Sequence, residues 1–229
     1  MKQLQGDAAS VRERFAEVEE RVAAAATAAG RDLARVRVLV ATKYVAAENM
    51  GVLREAGIRL IGENRAQDLV AKHALYGDAF EYHFIGHLQG RKTRLVLPLV
   101  TLIHSVSSMS AVQEIEARAT KPTNVLLEVN IAEEPSKNGV APNVIDAFLE
   151  EASVCPQARF SGLMCMPPLS AGQAETHRHF AHMRELAERL STAWRGTYTF
   201  DELSMGTSAD YEIAVTEGAT IVRVGSVLF

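Results

Sequence analysis

The chain has 229 residues, of which 48% are hydrophobic and 23% charged, and its formal net charge is −4. These values are ordinary for a globular protein with a large core. The negative charge gives no electrostatic reason to expect a nucleic acid or an anionic membrane as a partner. The sequence shows no apolar run of transmembrane length, no signal-peptide core and no CxxC pair among its two cysteines, so we expect a cytoplasmic protein.

The N-terminal segment carries apolar residues at helical spacing. Val11, Phe15, Val18 and Val22 follow one another at steps of four, three and four residues, and Gly30 ends the pattern. This spacing predicts a helix within residues 1–30. We expect it to pack on a single domain spanning residues 1–229, because no linker rich in Pro, Gly or Ser divides the chain.

Beyond Gly30, strand-like apolar runs alternate with helical stretches. Eight runs are predicted as strands: Arg37–Ala41, Ile58–Ile61, Glu81–Ile85, Thr101–His104, Asn124–Asn130, Arg159–Met164, Thr199–Ser204 and Thr220–Val224. Six stretches are predicted as helices: Ala47–Ala56, Asn64–Lys72, Ser110–Thr120, Val144–Ser153, Gln173–Thr192 and Ala209–Glu217. Such alternation is typical of βαβ units and a parallel sheet. Eight strands predict the α/β class and a closed (β/α)8 TIM barrel. An open doubly wound sheet is the alternative, but the first strand is not followed by GxGxxG.

Lys43 stands directly after the first apolar run, Val36–Thr42. In α/β folds the chemistry lies at the carboxyl ends of the strands. A partly desolvated lysine in that position loses its proton more readily and can form a Schiff base with an aldehyde. The alternative is a lysine that only marks the exit of the strand into water.

The turns after the seventh and eighth predicted strands suggest an anion pocket. The segment Ser204–Ser208 supplies hydroxyls before the predicted helix, with Ser208 as its N-cap, and Gly225 and Ser226 offer backbone N–H groups. Two ordinary turns are the alternative. Arg223 lies inside the last apolar run, where its side chain faces either an outer helix or a planar ligand inside the barrel.

Eight motifs in a fixed order, from about Val38 to Phe229, carry a family resemblance. They are Val40-Ala41-Thr42-Lys43, Gly62-Glu63-Asn64, His83-Phe84-Ile85-Gly86, Leu88-Gln89, Ser136-Lys137-Asn138-Gly139, Gly162-Leu163-Met164, Leu203-Ser204-Met205-Gly206 and Val222-Arg223-Val224-Gly225. On these motifs the chain resembles the pyridoxal phosphate homeostasis proteins, which share the barrel of the alanine racemase N-terminal domain. The resemblance implies pyridoxal 5′-phosphate (PLP) as cofactor and a barrel like that of PLP fold type III, without a C-terminal β domain.

The resemblance also implies seven cofactor-binding residues and no catalytic or metal-binding ones. They are Lys43 as the lysine of the internal aldimine, Arg223 facing the pyridine nitrogen, Ser204, Gly225 and Ser226 at the phosphate, and Asn64 and His83 in the pocket. The chain departs from the family pattern at Arg65, His87 and Thr207, where relatives often have an aromatic residue, proline and methionine. These departures concern contacts at the rim of the pocket.

The resemblance implies a role in intracellular PLP homeostasis, in which the chain holds PLP and buffers or delivers it. An arginine beside the pyridine nitrogen weakens the ring as an electron sink, and racemisation needs acid/base groups on both faces of the cofactor. We expect Tyr44 to point away from Lys43, because neighbouring side chains alternate in an extended segment. We therefore expect a carrier that is not an enzyme. A weakly active PLP-dependent racemase or transaminase is one alternative, and a cofactor-free Schiff-base aldolase is another.

We expect a monomer, with apo-PLP enzymes as candidate recipients and no nucleic acid or membrane partner. Lys137, in the loop after the fifth strand, is expected to be a solvated lysine, with a secondary aldehyde acceptor as the alternative. His177, His179 and His182 share one predicted helix, but no cysteine or carboxylate completes a recognisable metal signature. We therefore predict a solvated helix face there and no metal site.

Overall fold

A computed structural model of the chain describes residues 7–134, 138–168 and 170–229. In these ranges eight parallel strands follow one another around a closed barrel, and the last strand pairs with the first. The strands are β1 (Arg37–Ala41), β2 (Leu60–Glu63), β3 (Glu81–Phe84), β4 (Leu102–Val106), β5 (Thr123–Glu128), β6 (Ala158–Met164), β7 (Glu202–Ser204) and β8 (Ile221–Val224). The predicted (β/α)8 TIM barrel is thereby confirmed.

Helices connect the strands on the outside of the barrel. They are α1 (Ala8–Ala28), α2 (Met50–Glu55), α3 (Ala66–Tyr76), α4 (Gly90–Val96), α5 (Met109–Arg118), α6 (Ile145–Ala152), α7 (Gln173–Ala193) and α8 (Tyr211–Thr216). Short 3-10 turns lie at Leu33–Arg35, Ala47–Asn49, Gly77–Ala79 and Pro142–Val144. None of the helices in the described ranges has the length and apolarity needed to cross a bilayer.

The observed helix bounds differ from the predicted ones by up to four residues, and α4 and the last helix differ in further ways. Helix α4 was not predicted, because the polar stretch Gly90–Arg94 has no apolar periodicity. The last helix begins at Tyr211, two residues later than predicted, and its N-cap residue is Asp210 instead of Ser208. The Asp210 carboxylate accepts hydrogen bonds from the backbone N–H and the hydroxyl of Thr207, which tightens the turn before the helix.

Helix α1 packs across the outside of the barrel. The Asp7 side chain caps it by accepting a hydrogen bond from the Ser10 N–H at 2.9 Å. Its buried face consists of Val11, Val18, Val22 and Ala26, which belong to the main hydrophobic core. An Arg21–Glu212 ion pair joins α1 to α8. That residues 1–229 form one domain stays a prediction.

Alternate residues of each strand face the inside of the barrel, as the pleat requires. Midway along the axis the inward side chains form an apolar belt of Leu39, Leu102, Leu126, Met164 and Ile221. The amino ends of the strands carry charged groups, with Arg37 close to both Glu81 and Glu202. The carboxyl ends surround a cavity, which is the candidate site.

Candidate functional site

A cavity of about 600 Å³ opens at the carboxyl ends of the strands. This volume is in the range of about 300–1,000 Å³ that is usual for small-molecule sites. Five of the seven predicted site residues line the cavity: Lys43, Asn64, Arg223, Gly225 and Ser226. The two others, His83 and Ser204, lie deeper in the barrel.

Lys43 sits in a turn two residues beyond the end of β1. The turn is closed by a hydrogen bond from the Val45 N–H to the Thr42 carbonyl, at 2.9 Å. The Lys43 side chain is exposed at the cavity mouth, and its Nζ lies 4.9 Å from the centre of the Tyr44 ring. Our expectation that Tyr44 points away from Lys43 is therefore wrong, because the backbone turns here instead of continuing as a strand. Both side chains line the cavity.

A buried ion pair supports the Lys43 turn from below. Lys72 Nζ contacts the Glu63 carboxylate and donates to the Thr42 carbonyl oxygen at 2.8 Å. The Thr42 hydroxyl also donates to Glu63 Oε1, at 2.7 Å. Side-chain exposure is 2% for Lys72 and 0% for Glu63, so this pair is isolated from water. It fixes the residue that precedes Lys43.

The sequence carried a signal for this buried lysine that we did not use. Ala66, Leu69 and Lys72 follow one another at steps of three residues, so all three lie on the buried face of α3. A lysine on a buried helix face requires a partner, and Glu63 is that partner.

Asn64 lines the cavity and carries an unsatisfied acceptor. Its Oδ1 atom is buried without a hydrogen-bond partner, while its backbone N–H donates to Glu63 Oε2 at 3.1 Å. The backbone of Asn64 lies against Gly86, where a Cβ atom would overlap the Asn64 carbonyl. Gly86 thus permits the close approach of the ends of β2 and β3. A buried polar atom without a partner is uncommon, and a ligand donor in the cavity would satisfy it.

Arg223 points into the barrel and forms part of the cavity floor. Its guanidinium donates to the Ser204 carbonyl oxygen at 2.8 Å, to the Ser204 hydroxyl, and to the Cys165 carbonyl oxygen at 2.9 Å. The alternative of an outward arginine, paired with a helix, is excluded. Burial lowers the pKa of Arg223, but a guanidinium keeps its proton at neutral pH. The floor of the cavity is therefore cationic.

The phosphate role expected for Ser204 does not agree with its position. Ser204 is completely buried below Arg223, and its hydroxyl contacts His104 and Arg223 instead of the cavity. The residues of this turn that do line the cavity are Thr207 and Ser208. The reason is that Ser204 is still the last residue of β7, whereas the chain crosses the cavity rim only after Gly206.

His83 is likewise one layer too deep to be a pocket residue. Its ring is buried on the barrel axis and lines a second cavity at the amino ends of the strands, together with Arg37, Glu81 and Glu202. The histidines that line the upper cavity are His104 of β4 and His87 of the loop after β3. The side chains of β3 and β4 alternate between the two faces as predicted, but the stagger between the strands sets how deep each residue lies in the barrel.

The turn after β7 and the turn after β8 are joined at the cavity rim. The Gly225 N–H donates to the Ser208 hydroxyl oxygen at 3.0 Å, so Ser208 keeps its own hydroxyl hydrogen for another acceptor. Ser226 is exposed beside them. Together Ser208 and Ser226 place two hydroxyls with available hydrogens on one side of the cavity, whereas the Thr207 hydroxyl donates its hydrogen to Asp210. This arrangement suits an anionic group such as a phosphate.

Glu128, at the end of β5, is a cavity residue that sequence reasoning missed. It is buried, and burial raises the pKa of its carboxyl, although His87 and Arg223 oppose the rise. It lies inside the predicted strand Asn124–Asn130, where a charged residue in an apolar run was a usable signal. The cavity therefore contains an acid/base group, Glu128, in addition to the Tyr44 phenol.

The remaining candidates have structural partners or lie outside the described residues. His177 contacts Glu217 at 2.9 Å, and His179 lies 3.6 Å from Glu175. Within the described ranges no three His, Cys, Asp or Glu side chains come together as a metal site. Lys137 and Ser136 lie outside the described residues, so our expectation for Lys137 stays a prediction.

Similarity to known proteins agrees with this geometry. The profile of the family described as alanine racemase, N-terminal domain, matches residues 15–229. The pyridoxal phosphate homeostasis protein of Pseudomonas aeruginosa is 38% identical over 224 residues, covering 96% of this chain and 95% of that protein. The protein of the same name from Aquifex aeolicus is 36% identical over 221 residues, covering 95% of this chain and 96% of that protein.

The fold and the strand-end lysine thus define a barrel of the alanine racemase N-terminal type. Among solved structures, PipY of Synechococcus elongatus PCC7942 with PLP bound has a TM-score of 0.83 and 31% identity, covering 96% of this chain and 99% of PipY. This chain belongs to the alanine racemase N-terminal domain family and, within it, to the pyridoxal phosphate homeostasis proteins.

Proposed function

We propose that this chain holds PLP through Lys43 in an exchangeable site and buffers or delivers it within the cell, without catalysing a reaction on it. The observation that carries the proposal is one cavity in which an exposed strand-end amine, a cationic floor and a rim of hydroxyls meet. The solved structure of the relative PipY with PLP bound, and the names of the curated relatives, support PLP as the ligand.

The residues present fit the chemical groups of PLP. When bound, PLP supplies an aldehyde that condenses with a primary amine, and Lys43 offers that amine at the cavity mouth. The hydroxyls of Ser208 and Ser226 suit the phosphate. The buried, unsatisfied Oδ1 of Asn64 can accept a hydrogen bond from a polar group of the ligand.

The non-catalytic part of the proposal depends on Arg223. A guanidinium held at the cavity floor is a permanent donor and keeps a facing pyridine nitrogen unprotonated, which limits the ring as an electron sink. Exposure of Lys43 at the mouth also leaves its amine open to water and to competing amines, as exchange requires. Glu128 and Tyr44 line the same cavity, so the absence of catalysis needs a direct test.

The test of delivery is the reconstitution of an apo-PLP enzyme. The PLP-loaded chain is mixed with a PLP-dependent apo-enzyme, and recovery of that enzyme's activity is followed with and without a phosphatase that destroys PLP in solution. We expect recovery without phosphatase, and we expect a mixture of Lys43→Ala with PLP to behave like dissolved PLP. If the loaded chain restores no activity while an equal amount of dissolved PLP does, delivery is contradicted.

The test against an enzyme is exchange of the α-hydrogen of amino acids in deuterated water. We expect no exchange above the rate that dissolved PLP gives. Exchange that disappears in Glu128→Gln or Tyr44→Phe would favour the racemase alternative. The monomeric state, the apo-enzyme recipients and the cytoplasmic location remain part of the proposal, and light scattering of the loaded chain tests the first of them.

A further inference from the structure

A continuous line of hydrogen bonds runs along the barrel axis below the cavity. It starts at the guanidinium of Arg223, which donates to the Ser204 hydroxyl. The Ser204 Oγ lies 2.8 Å from His104 Nδ1, and His104 Nε2 lies 2.9 Å from His83 Nδ1. The line ends where His83 Nε2 lies 2.9 Å from Glu81 Oε1, at the amino end of the barrel. It thereby connects the cavity floor to the opposite face of the protein.

When both imidazoles are neutral, the two ends fix the direction of every hydrogen bond between them. Arg223 can only donate. The hydrogen bond from His83 lowers the pKa of Glu81 to about 2, so at neutral pH this carboxylate only accepts. His83 must then donate from Nε2, His104 must donate from its own Nε2, and Ser204 must donate its hydroxyl hydrogen to His104 Nδ1. Each link receives one hydrogen when both imidazoles are neutral.

We propose that Ser204, His104 and His83 are positioning residues, which hold Arg223 at the cavity floor through this one-way chain with both imidazoles neutral and protonated at Nε2. The consequence for the PLP ring rests on the function proposed above. The chain of hydrogen bonds does not rest on it, because the geometry of these bonds is a property of the protein alone. It gives a role to two buried histidines and a buried serine. Of these three residues, only His104 lines the cavity.

Both the burial of the rings and the number of hydrogens available to the hydrogen bonds require neutral imidazoles. Desolvation lowers the pKa of His83 and, with the neighbouring charges, lowers that of His104 well below its ordinary value. A second hydrogen on His104, at Nδ1, would oblige Ser204 to accept from both His104 and Arg223. The hydroxyl hydrogen of Ser204 would then lose its acceptor in a buried site, which is unfavourable.

Charged groups face the two rings from four strands, and they do not all act in the same direction. Glu81 of β3 and Glu202 of β7 favour a protonated His83, whereas Arg37 of β1 opposes protonation of both rings. Arg223 of β8 opposes protonation of His104. His104 is therefore the more strongly neutral ring. It is also the ring that contacts Ser204.

The test is nuclear magnetic resonance of nitrogen-15-labelled protein without ligand. Long-range proton–nitrogen spectra report which ring nitrogen of each histidine carries hydrogen, and His83→Gln and His104→Gln assign the signals. At neutral pH and above we expect both rings to be neutral with hydrogen on Nε2. A cationic ring at neutral pH, or a ring with its hydrogen on Nδ1, would overturn the proposal.

The positioning of Arg223 is read from the hydrogen exchange of its guanidinium. We expect Ser204→Ala to speed this exchange by at least about tenfold. Ser161 belongs to the same barrel but not to the chain of hydrogen bonds, so we expect Ser161→Ala to leave the exchange unchanged. Glu81→Gln, at the half-exposed end, keeps the core intact and should give His83 a mixture of tautomers. Unchanged Arg223 exchange in Ser204→Ala contradicts positioning.

The same samples separate this proposal from the proposed function. PLP is added to the wild-type chain, Ser204→Ala and Ser161→Ala, and the visible absorption band is recorded. A wild-type chain that shows the expected tautomers and a protected Arg223 but acquires no PLP band contradicts the function and leaves the chain of hydrogen bonds established. A PLP band that is identical in wild type and Ser204→Ala contradicts any effect of positioning on the cofactor.

Discussion

The buried Lys72–Glu63 pair gives the most quantitative prediction. Lys72→Met keeps the length and the apolar stem of the side chain but leaves the Glu63 carboxylate buried without its cation. Removing one partner of a buried ion pair typically costs about 3–5 kcal/mol. The Thr42 carbonyl loses a donor as well, while the Thr42 hydroxyl still donates to Glu63. We therefore expect the free energy of unfolding to fall by about 3–5 kcal/mol.

Urea unfolding followed by circular dichroism measures this loss. Lys121→Met, at an exposed lysine, is the matched control and should change stability by less than about 0.5 kcal/mol. Adding Glu63→Gln to Lys72→Met removes the stranded charge, so the double variant should be more stable than the single one. A loss of less than about 1 kcal/mol in Lys72→Met, or a double variant no better than the single one, would refute a buried pair that supports Lys43.

Two further predictions concern the cavity rim and the barrel axis. Ser208→Ala should weaken PLP binding by about 1–3 kcal/mol in an absorbance titration, because it removes a hydroxyl from the phosphate side of the cavity, whereas an equal affinity would exclude Ser208 from that role. His104→Gln should reduce the pH dependence of stability. The pKa of His104 is held well below its ordinary 6.5 by burial, so below pH 6.5 the unfolded chain binds a proton that the folded chain does not. The stability that the neutral ring contributes above pH 6.5 is lost as the pH falls, by up to about 1.4 kcal/mol per pH unit, and urea unfolding of wild type, His104→Gln and the exposed His182→Gln shows whether this slope belongs to His104.

The barrel itself was predictable because alternation of apolar runs and helical stretches is a local signal. Each strand needs apolar residues on the face toward the helices, and β1 and β8 show them clearly. The same signal placed Lys43 at the carboxyl end of the first strand, whereas the direction of Arg223 within the last strand stayed open. Helix α4 escaped prediction because it begins with polar residues that show no apolar periodicity.

The depth of residues inside the barrel could not be predicted from one strand at a time. His83 and His104 both face inward, but the stagger of β3 and β4 puts only His104 at the cavity. The same holds for Ser204 and Ser208, because the point where the chain leaves β7 decides which hydroxyl reaches the rim. Lys72 itself was predictable from its place on the buried face of α3, but its partner Glu63 lies nine residues away on another element and was not indicated by that spacing.

The central claim is that Lys43 is the residue that captures PLP. The most direct measurement is borohydride reduction of the PLP-loaded chain, followed by mass spectrometry of its peptides. We predict that the added mass lies on the peptide with Lys43, disappears in Lys43→Ala and persists in Lys121→Ala. An unmodified Lys43, with the added mass on a different lysine of the wild-type chain, would contradict the account.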